Sequence, residues 1–511
     1  MAEPLYLRAR VEGEAAALLA EPELVHSLVD ALESPLNVVL PEQAAANAEE
    51  FGAVLGRHRL KGRVLFAHKA SASSALLRRL ADTAAGVDVA SLGELQHALG
   101  CGFTPDRITA TGPKSPQFLW LAARSGVTVA VDSAEELDLL AGLLRGHALP
   151  RCRTMLRLSG FTAPGVRVRS RLSRFGIPVA ALEDTLDRVV RYGDVLDLVG
   201  VAYHLDTTSL TEKATALEGC LRALTACRDR ELSPGIVDIG GGFGISYLAH
   251  REDWDTYTSA LSAAALGTRP ALAWGGHGYG LRNDKGTLRG SLALYPSWRP
   301  AAGAHYLDEL LSAPSSAQLG GRPLAALALE HLYDVHAEPG RALLDQCGLT
   351  LATVQEVRRP PDGGADLWVR LAAKADDIAL EEHGVLLDPV LLPRPGTSEA
   401  ADPGPYGTGP YGADSYGAGS YGRGPVAVHL FGHLCLETDL ITRRLVHLPR
   451  APRPGDVLAF ANTAAYCMDF HAGRSQRHPA ARKVALWRSG GSWKWCLDEA
   501  YWPTVHKGEP Q

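Results

Sequence analysis

Eight short apolar runs recur along the first two thirds of the chain, and stretches rich in alanine and leucine separate most of them. The runs cover residues 64–67, 87–90, 108–111, 127–131, 154–158, 198–203, 236–239 and 335–337. Runs of this length predict buried parallel strands, and the stretches between them are long enough for helical crossovers. Eight such units in series predict an α/β protein built on a (β/α)₈ barrel of the TIM type.

The chain has 511 residues, more than one hydrophobic core accommodates, so a second domain is expected. We place the barrel at 36–343, with an insertion at 246–329 that is expected to cover one barrel face. Residues 344–511 predict a β-rich domain, of barrel or sandwich type, and residues 1–35 are expected to pack with it. The predicted strands of that domain are 349–354, 367–371, 426–431, 457–460 and 484–487.

A tract rich in glycine, proline, serine and tyrosine occupies residues 394–425. Tyr406, Tyr411, Tyr416 and Tyr421 recur every five residues there, each followed by glycine. Such a composition buries too little apolar surface to fold, so a disordered loop is expected. An interaction tract is the alternative.

Charge and hydropathy exclude several partners. The net charge of −6 leaves no basic footprint for nucleic acid. No apolar run reaches the length of a membrane helix and the N-terminus lacks a basic region, so a cytoplasmic location is expected. The 8 cysteines form no CxxC pair, which argues against a disulfide framework or a metal site.

Lys69 follows the first apolar run directly, in a chain with only 9 lysines against 42 arginines. A lysine amine in a desolvated site loses its proton and forms a Schiff base, whereas arginine stays charged. A lysine that extends from a strand end into solvent is the alternative.

Further polar groups follow the later runs. His204 comes after the sixth run, Asp238-Ile-Gly-Gly-Gly-Phe-Gly244 after the seventh and Glu338-Pro-Gly-Arg341 after the eighth. The loops that follow barrel strands meet at one face, where such barrels hold their active sites. An amine, a glycine loop for a phosphate, an imidazole and a carboxylate are together what pyridoxal phosphate requires.

Seven segments in a fixed order, on both predicted domains, carry a family pattern over roughly residues 40–490. They are Ala67-His-Lys-Ala-Ser71, Gly86-Val-Asp-Val-Ala-Ser-Leu-Gly-Glu94, Ser173-Arg-Phe-Gly176, the two loops at 238–244 and 338–341, Gly432-His-Leu-Cys-Leu-Glu-Thr-Asp439 and Asn462-Thr-Ala-Ala-Tyr466. The chain resembles the group III pyridoxal-phosphate decarboxylases, which share an alanine-racemase-like barrel and include diaminopimelate and ornithine decarboxylases.

The resemblance implies α-decarboxylation of an amino acid by a homodimer with a shared active site, without a metal. Lys69 would carry the cofactor as a Schiff base, His204 would stack on its ring, Glu338 would bind the pyridine nitrogen and Cys435 would reprotonate the carbanion. An inert buried cysteine is the alternative for Cys435. The other implied cofactor ligands are Thr207, Gly240, Gly241, Gly242, Gly340, Arg341 and Tyr466, and the implied substrate contacts are Arg341, Leu436, Glu437 and Asp439.

The chain also departs from the family pattern. Asp206-Thr207 stands where relatives have Gly-Ser, Asn462 replaces an aspartate, Ala464 replaces a glycine, and the R-P-x-x-Y segment has no clear counterpart. Leu436 occupies the position of an acidic residue that binds the distal ammonium of diaminopimelate or ornithine.

Alternatives therefore stay open for the identity of the substrate and for the type of reaction. Leu436 and the aromatic residues of the insertion, Trp274, Tyr279, Tyr295 and Trp298, predict a substrate that is larger or more apolar than diaminopimelate, in specialised metabolism. A racemase or aldolase on the same barrel would use His204, Asp206 or Tyr279 as its second acid or base. A non-catalytic regulator is expected to lose cofactor residues, which this chain retains.

Overall fold

The computed structural model describes residues 4–162, 173–361, 363–396, 424–471 and 473–503. Contacts divide the chain into two units. The barrel unit consists of Ala44–Gly244, Ala301–Leu343 and Tyr501–Gln511, and the β unit consists of Met1–Gln43, Ile245–Pro300 and Leu344–Ala500. The tyrosine repeat predicted to be disordered lies outside the described residues. None of the helices in the described ranges is long and apolar enough to cross a membrane.

The barrel unit contains the eight predicted parallel strands, so the predicted fold class is confirmed. They are β1 Leu65–Ala67, β2 Gly86–Val89, β3 Ile108–Ala110, β4 Thr128–Val131, β5 Cys152–Ser159, β6 Leu196–Tyr203, β7 Ile236–Asp238 and β8 Asp334–His336. Each strand pairs with its neighbour in sequence, and the parallel bridge between Val64 and Ala337 joins the last strand to the first. The carboxyl ends of all eight strands consequently meet at one face.

Helices connect these strands, and several begin at a serine that caps the backbone. The hydroxyls of Ser73, Ser91, Ser115, Ser133 and Ser209 each accept the N–H three residues further on, which satisfies a donor of the first helical turn. The helices are Pro41–Arg57, Ser74–Ala81, Leu92–Gly100, Pro116–Ser125, Ala134–Gly146, Leu182–Arg191, Leu210–Arg228, Gly303–Ser312 and Leu324–Glu330.

The β unit is built on a mixed sheet that contains all five strands predicted for it. Its main path runs Val446–Leu448, Val426–Phe431, Leu367–Leu371, Gly348–Arg358, Leu36–Val39, Arg482–Ser489 and Ser492–Leu497, and Val457–Ala461 joins Gly348–Arg358 to Val390–Leu392. The hairpin Leu281–Asp284 and Thr287–Gly290 and the helices Gly13–Leu19, Pro22–Leu32, Arg251–Leu266 and Ala375–Ile378 complete it.

The insertion divides between the two units, which differs from the predicted boundaries. Residues 301–329 belong to the barrel unit, whereas residues 245–300 belong to the β unit. The ring of Trp274 packs 5.6 Å from that of Trp368 and 5.2 Å from that of Phe431. The hydroxyl of Tyr279 is 3.2 Å from a carboxylate oxygen of Glu381. Trp274 is half-buried and Tyr279 is buried, and both pack against strands and turns of the β unit. Their predicted influence on the choice of substrate stays a prediction.

Candidate active site

Lys69 lies in the 3₁₀ turn His68–Ala70, immediately after the buried strand β1. Its side chain is exposed within the single chain, and its predicted role as the cofactor lysine stays a prediction. The Lys69 charge nevertheless opposes the rise in pKa of Asp88 and of Glu338. The Lys69 amine therefore interacts electrostatically with the carboxyl groups at this end of the barrel, which we call the barrel mouth.

Three buried carboxyl groups lie at the ends of different strands. Asp88 is on β2, Asp238 ends β7 and Glu338 follows β8. The pKa of Asp88 is raised to about 7 because the group is buried and lies near Glu338, and the same two causes raise the pKa of Asp238. Burial also raises the pKa of Glu338, but Lys69, Arg157 and Lys213 oppose that rise. With three cations near it, Glu338 is the carboxyl group that most readily carries the negative charge.

His204 follows β6 and contacts both the glycine loop and Glu338. Its Nδ1 accepts the N–H of Gly241 at 3.3 Å and lies 3.5 Å from Oε2 of Glu338. Burial, followed by the charges of Lys69 and Arg157, lowers the pKa of His204 to about 3. The imidazole is therefore uncharged at neutral pH, and its proton is on Nε2 because Nδ1 acts as an acceptor.

The glycine loop at 240–244 needs glycine because the backbone passes close to two strand ends. Gly240 has a φ of +63°, and a Cβ there would lie 2.3 Å from the carbonyl oxygen of Tyr203. A Cβ on Gly241 would lie 2.7 Å from the carbonyl oxygen of Glu338. Neither position has room for a side chain, so both residues must be glycine.

The same loop presents backbone donors that the protein itself does not use. The N–H of Gly240 donates to Asp238 and that of Gly241 to His204. The N–H groups of Gly242, Phe243 and Gly244 have no hydrogen-bond acceptor among the described residues. Unpaired backbone donors in a buried glycine turn form a site for an anion.

Two cations at this end of the barrel, the half-buried Arg157 and the buried Lys213, were not singled out from the sequence. Arg157 on β5 pairs with Asp132 at 2.9 Å, and Lys213 on the helix Leu210–Arg228 donates to the carbonyl oxygen of Gly241. The sequence could have identified Arg157, because a charged residue within an apolar strand is unusual. Lys213 gave no signal, because a lysine in a helix is ordinarily a solvated residue.

The remaining predicted residues of the barrel unit are placed as follows. Thr207 precedes the helix Leu210–Arg228, and its hydroxyl accepts the N–H of Ser209 at 3.1 Å. Gly340 is buried and Arg341 half-buried, directly after β8. Asp206, the acid or base considered for a racemase, is exposed. The roles assigned to Thr207, Gly340 and Arg341 stay predictions.

The other predicted site residues belong to the β unit. Cys435 is exposed, so the alternative of an inert buried cysteine is wrong, and Leu436 is 54% exposed beside the exposed Glu437. Tyr466 is half-buried and has a φ of +67°. The roles of these four residues stay predictions.

Asp439 and Tyr279 are already engaged within the β unit. The Asp439 carboxylate accepts the N–H groups of Ala375 and Leu434, both at 2.8 Å. It thereby fixes the loop that carries Cys435, and its predicted contact with substrate stays a prediction. Tyr279 is buried against Glu381, and burial raises its pKa, which makes it a poor acid or base at neutral pH.

Comparisons with known proteins show the family and the fold of the chain. A family model described as the pyridoxal binding domain of pyridoxal-dependent decarboxylases matches residues 42–270. The chain is 30% identical over 460 residues to the uncharacterized protein y4yA of Sinorhizobium fredii, and the alignment covers 89% of this chain and 88% of that protein. It is 26% identical over 450 residues to the diaminopimelate decarboxylase of Mycobacterium tuberculosis, and that alignment covers 85% of this chain and 82% of that enzyme.

A similar fold is found among solved structures. Diaminopimelate decarboxylase from M. jannaschii, in complex with L-lysine, matches 92% of this chain and 91% of its own with a TM-score of 0.65. The sequence identity is 17%, so this likeness concerns the fold alone.

Proposed function

Because the chain belongs to the pyridoxal-dependent decarboxylase family, we propose that it removes the α-carboxylate of an amino acid other than diaminopimelate. Membership makes it a carboxy-lyase that uses pyridoxal 5'-phosphate. The proposal assigns the cofactor amine to Lys69 and the ring contacts to His204 and Glu338. It assigns the proton donor to Cys435. One observation carries it, the convergence of Lys69, His204, Glu338 and the glycine loop at one end of the barrel.

The residues at the barrel mouth fit the cofactor. The unpaired N–H groups of Gly242, Phe243 and Gly244 suit a phosphate ester, and the glycine at 241 lets the loop pass close to the Glu338 carbonyl oxygen. The uncharged imidazole of His204 suits the face of an aromatic ring, and Glu338 suits a pyridine N–H. When bound, the cofactor supplies a conjugated ring that accepts the electron pair released as the carboxylate leaves.

Glu338 would keep the pyridine nitrogen of the cofactor protonated. It does so as a carboxylate, and the surrounding cations Lys69, Arg157 and Lys213 favour that form. Asp88 and Asp238 have pKa values raised by burial and by Glu338, so they retain protons more readily and add less negative charge. The cluster thus concentrates its negative charge on Glu338.

Cys435 has the task of returning a proton to the α-carbon. Its backbone N–H donates to Oε1 of Gln476 at 3.1 Å, which fixes the backbone of the loop and leaves the thiol exposed. A thiol suits proton donation near neutral pH. We therefore assign to this thiol the step that completes decarboxylation, which is the protonation of the α-carbon.

Leu436 supports the exclusion of diaminopimelate. A leucine offers no counter-charge to a distal ammonium, and a desolvated ammonium without a partner is costly. A substrate with an apolar or uncharged far end avoids that cost.

The test is a panel of amino acids supplied to the purified protein with pyridoxal 5'-phosphate, with carbon dioxide and optical rotation followed together. Carbon dioxide release from one member other than diaminopimelate supports the proposal. Loss of optical rotation without carbon dioxide identifies a racemase. No turnover of any member, with the cofactor bound, identifies a regulator, and efficient turnover of diaminopimelate contradicts the substrate assignment.

A further inference from the structure

Lys213 is completely buried, although it lies in the first turn of the helix Leu210–Arg228. Its Nζ donates to the carbonyl oxygen of Gly241 and lies 5.3 Å from the centre of the Phe243 ring. No carboxylate in the described part of the chain forms an ion pair with it. A buried ammonium without a counter-ion is unfavourable, so its presence beside the glycine loop requires a reason.

The contact with Gly241 links the ammonium to the unpaired donors. The peptide between Gly241 and Gly242 is trans, so its N–H points away from the carbonyl oxygen that Lys213 contacts. That N–H belongs to Gly242 and has no acceptor among the described residues. A cation at the carbonyl oxygen polarises the peptide and increases the positive charge that the N–H presents on its other side.

The charge state of Lys213 agrees with this role. Burial lowers its pKa to about 8, and the nearby Glu338 opposes that decrease. The amine is therefore still protonated at neutral pH. Glu338 lies too far away for an ion pair, so a nearby anion would be the closest counter-charge.

We propose that Lys213 is a positioning residue for the cofactor phosphate, which it binds indirectly by polarising the Gly241–Gly242 peptide and by supplying the counter-charge behind the glycine loop. The inference rests on the placement of the phosphate at this loop in the proposed function. It predicts that the contribution of Lys213 depends on the phosphate group and not on the pyridine ring.

The experiment compares two probes on protein freed of cofactor, pyridoxal 5'-phosphate and pyridoxal, which lacks the phosphate. Lys213→Gln removes the charge and keeps an N–H that can donate to Gly241. Lys213→Met removes both and serves as the second variant. Tyr203→Phe is the matched control, because it removes the hydroxyl that donates to the Lys213 carbonyl at 3.1 Å and leaves the ammonium in place. Dissociation constants come from absorbance titration, and circular dichroism checks folding.

Both Lys213 variants are expected to bind pyridoxal 5'-phosphate at least ~10-fold more weakly and pyridoxal within about twofold of the wild type. Tyr203→Phe is expected to keep both constants. Equal weakening for the two probes assigns Lys213 a purely structural role and overturns the inference, as does unchanged affinity for both. If the wild type itself fails to bind the phosphorylated probe more tightly, the placement of the phosphate fails as well.

Discussion

At the scale of single residues, the barrel mouth is a set of buried charges that constrain one another. Asp88, Asp238 and Glu338 are close enough for each of the two aspartates to feel the charge of Glu338. The half-buried Arg157 and the buried Lys213 lie near them and lower the pKa of His204. Such perturbed groups cluster at functional sites because their burial would otherwise only destabilise the fold.

Lys69 is the residue on which covalent attachment of the cofactor depends. Lys69→Ala is expected to lose all covalently bound cofactor, because no other amine is assigned to the barrel mouth except the buried Lys213. The measurement is peptide mass spectrometry after borohydride reduction, which locates the modified lysine. Lys61→Ala is the control, since Lys61 is an exposed lysine of the same unit that precedes β1. A reduced adduct that persists in Lys69→Ala would show that the cofactor lysine lies elsewhere.

Leu436 is the residue on which the exclusion of diamino acids depends. Leu436→Glu is expected to raise kcat/KM for diaminopimelate, lysine and ornithine at least ~10-fold, because a carboxylate supplies a charged hydrogen bond of about 1.5–3 kcal/mol. Leu436→Gln has nearly the same shape without the charge and is expected to give a smaller rise. Equal gains in the two variants, or a gain for apolar substrates as well, would mean that charge at this position does not select the substrate.

At the scale of elements, two loops place the functional groups, and each depends on one close approach. The glycine loop after β7 passes close to the carbonyl oxygens of Tyr203 and Glu338. In the loop at 432–439, a Cβ on Gly432 would lie 2.1 Å from the Asp439 carboxylate, which holds the loop through the N–H of Leu434. Glycine is needed at both positions because another part of the backbone or a fixed carboxylate occupies the space.

Gly241 tests the glycine loop as an element. Gly241→Ala places a methyl group 2.7 Å from the Glu338 carbonyl oxygen, so the loop must shift. Such overpacking costs about 1–3 kcal/mol, and cofactor affinity is expected to fall ~10-fold or more. The measurement is a titration with pyridoxal 5'-phosphate. Gly235→Ala is the matched control in the same unit, because a Cβ there has open space. If both variants bind equally well, the loop does not hold the cofactor.

At the scale of the whole molecule, the proposed catalytic groups are distributed over two units of the chain. Lys69, His204 and Glu338 belong to the barrel unit, whereas Cys435 and Leu436 belong to the β unit and are exposed. An exposed thiol beside an exposed leucine is expected to be covered when the site is complete. We propose that a second copy of the chain supplies that cover, as a homodimer with shared active sites.

The dimer is tested by mixing two inactive variants. Lys69→Ala and Cys435→Ala homodimers are each expected to be inactive. Random exchange of protomers gives heterodimers in which one of the two sites is intact, so activity is expected to recover to about a quarter of the wild-type value. Exchange is verified with differently tagged protomers. Verified heterodimers without activity would contradict a shared site, and an active Cys435→Ala homodimer would contradict the role of the thiol.

The sequence by itself determined the barrel and the order of its parts. Apolar runs of three to six residues and the helices between them are local patterns, and parallel strands in series bring their carboxyl ends together whatever the loops contain. Lys69, His204, the glycine loop and Glu338 could therefore be placed at one face from their positions after the strands. The β-rich second unit was predictable for the same reason, from alternating runs.

Only the tertiary structure decided which charges are buried and where the insertion packs. Lys213 occurs in a helix whose sequence resembles a solvated one, and its burial depends on the glycine loop and Phe243 some 30 residues further along the chain. Trp274 and Tyr279 read as surface residues of a barrel loop, but their partners Trp368 and Glu381 lie about 100 residues away. Burial of a charge or a ring is a property of the neighbours that the fold brings together, and local pattern carries no information about them.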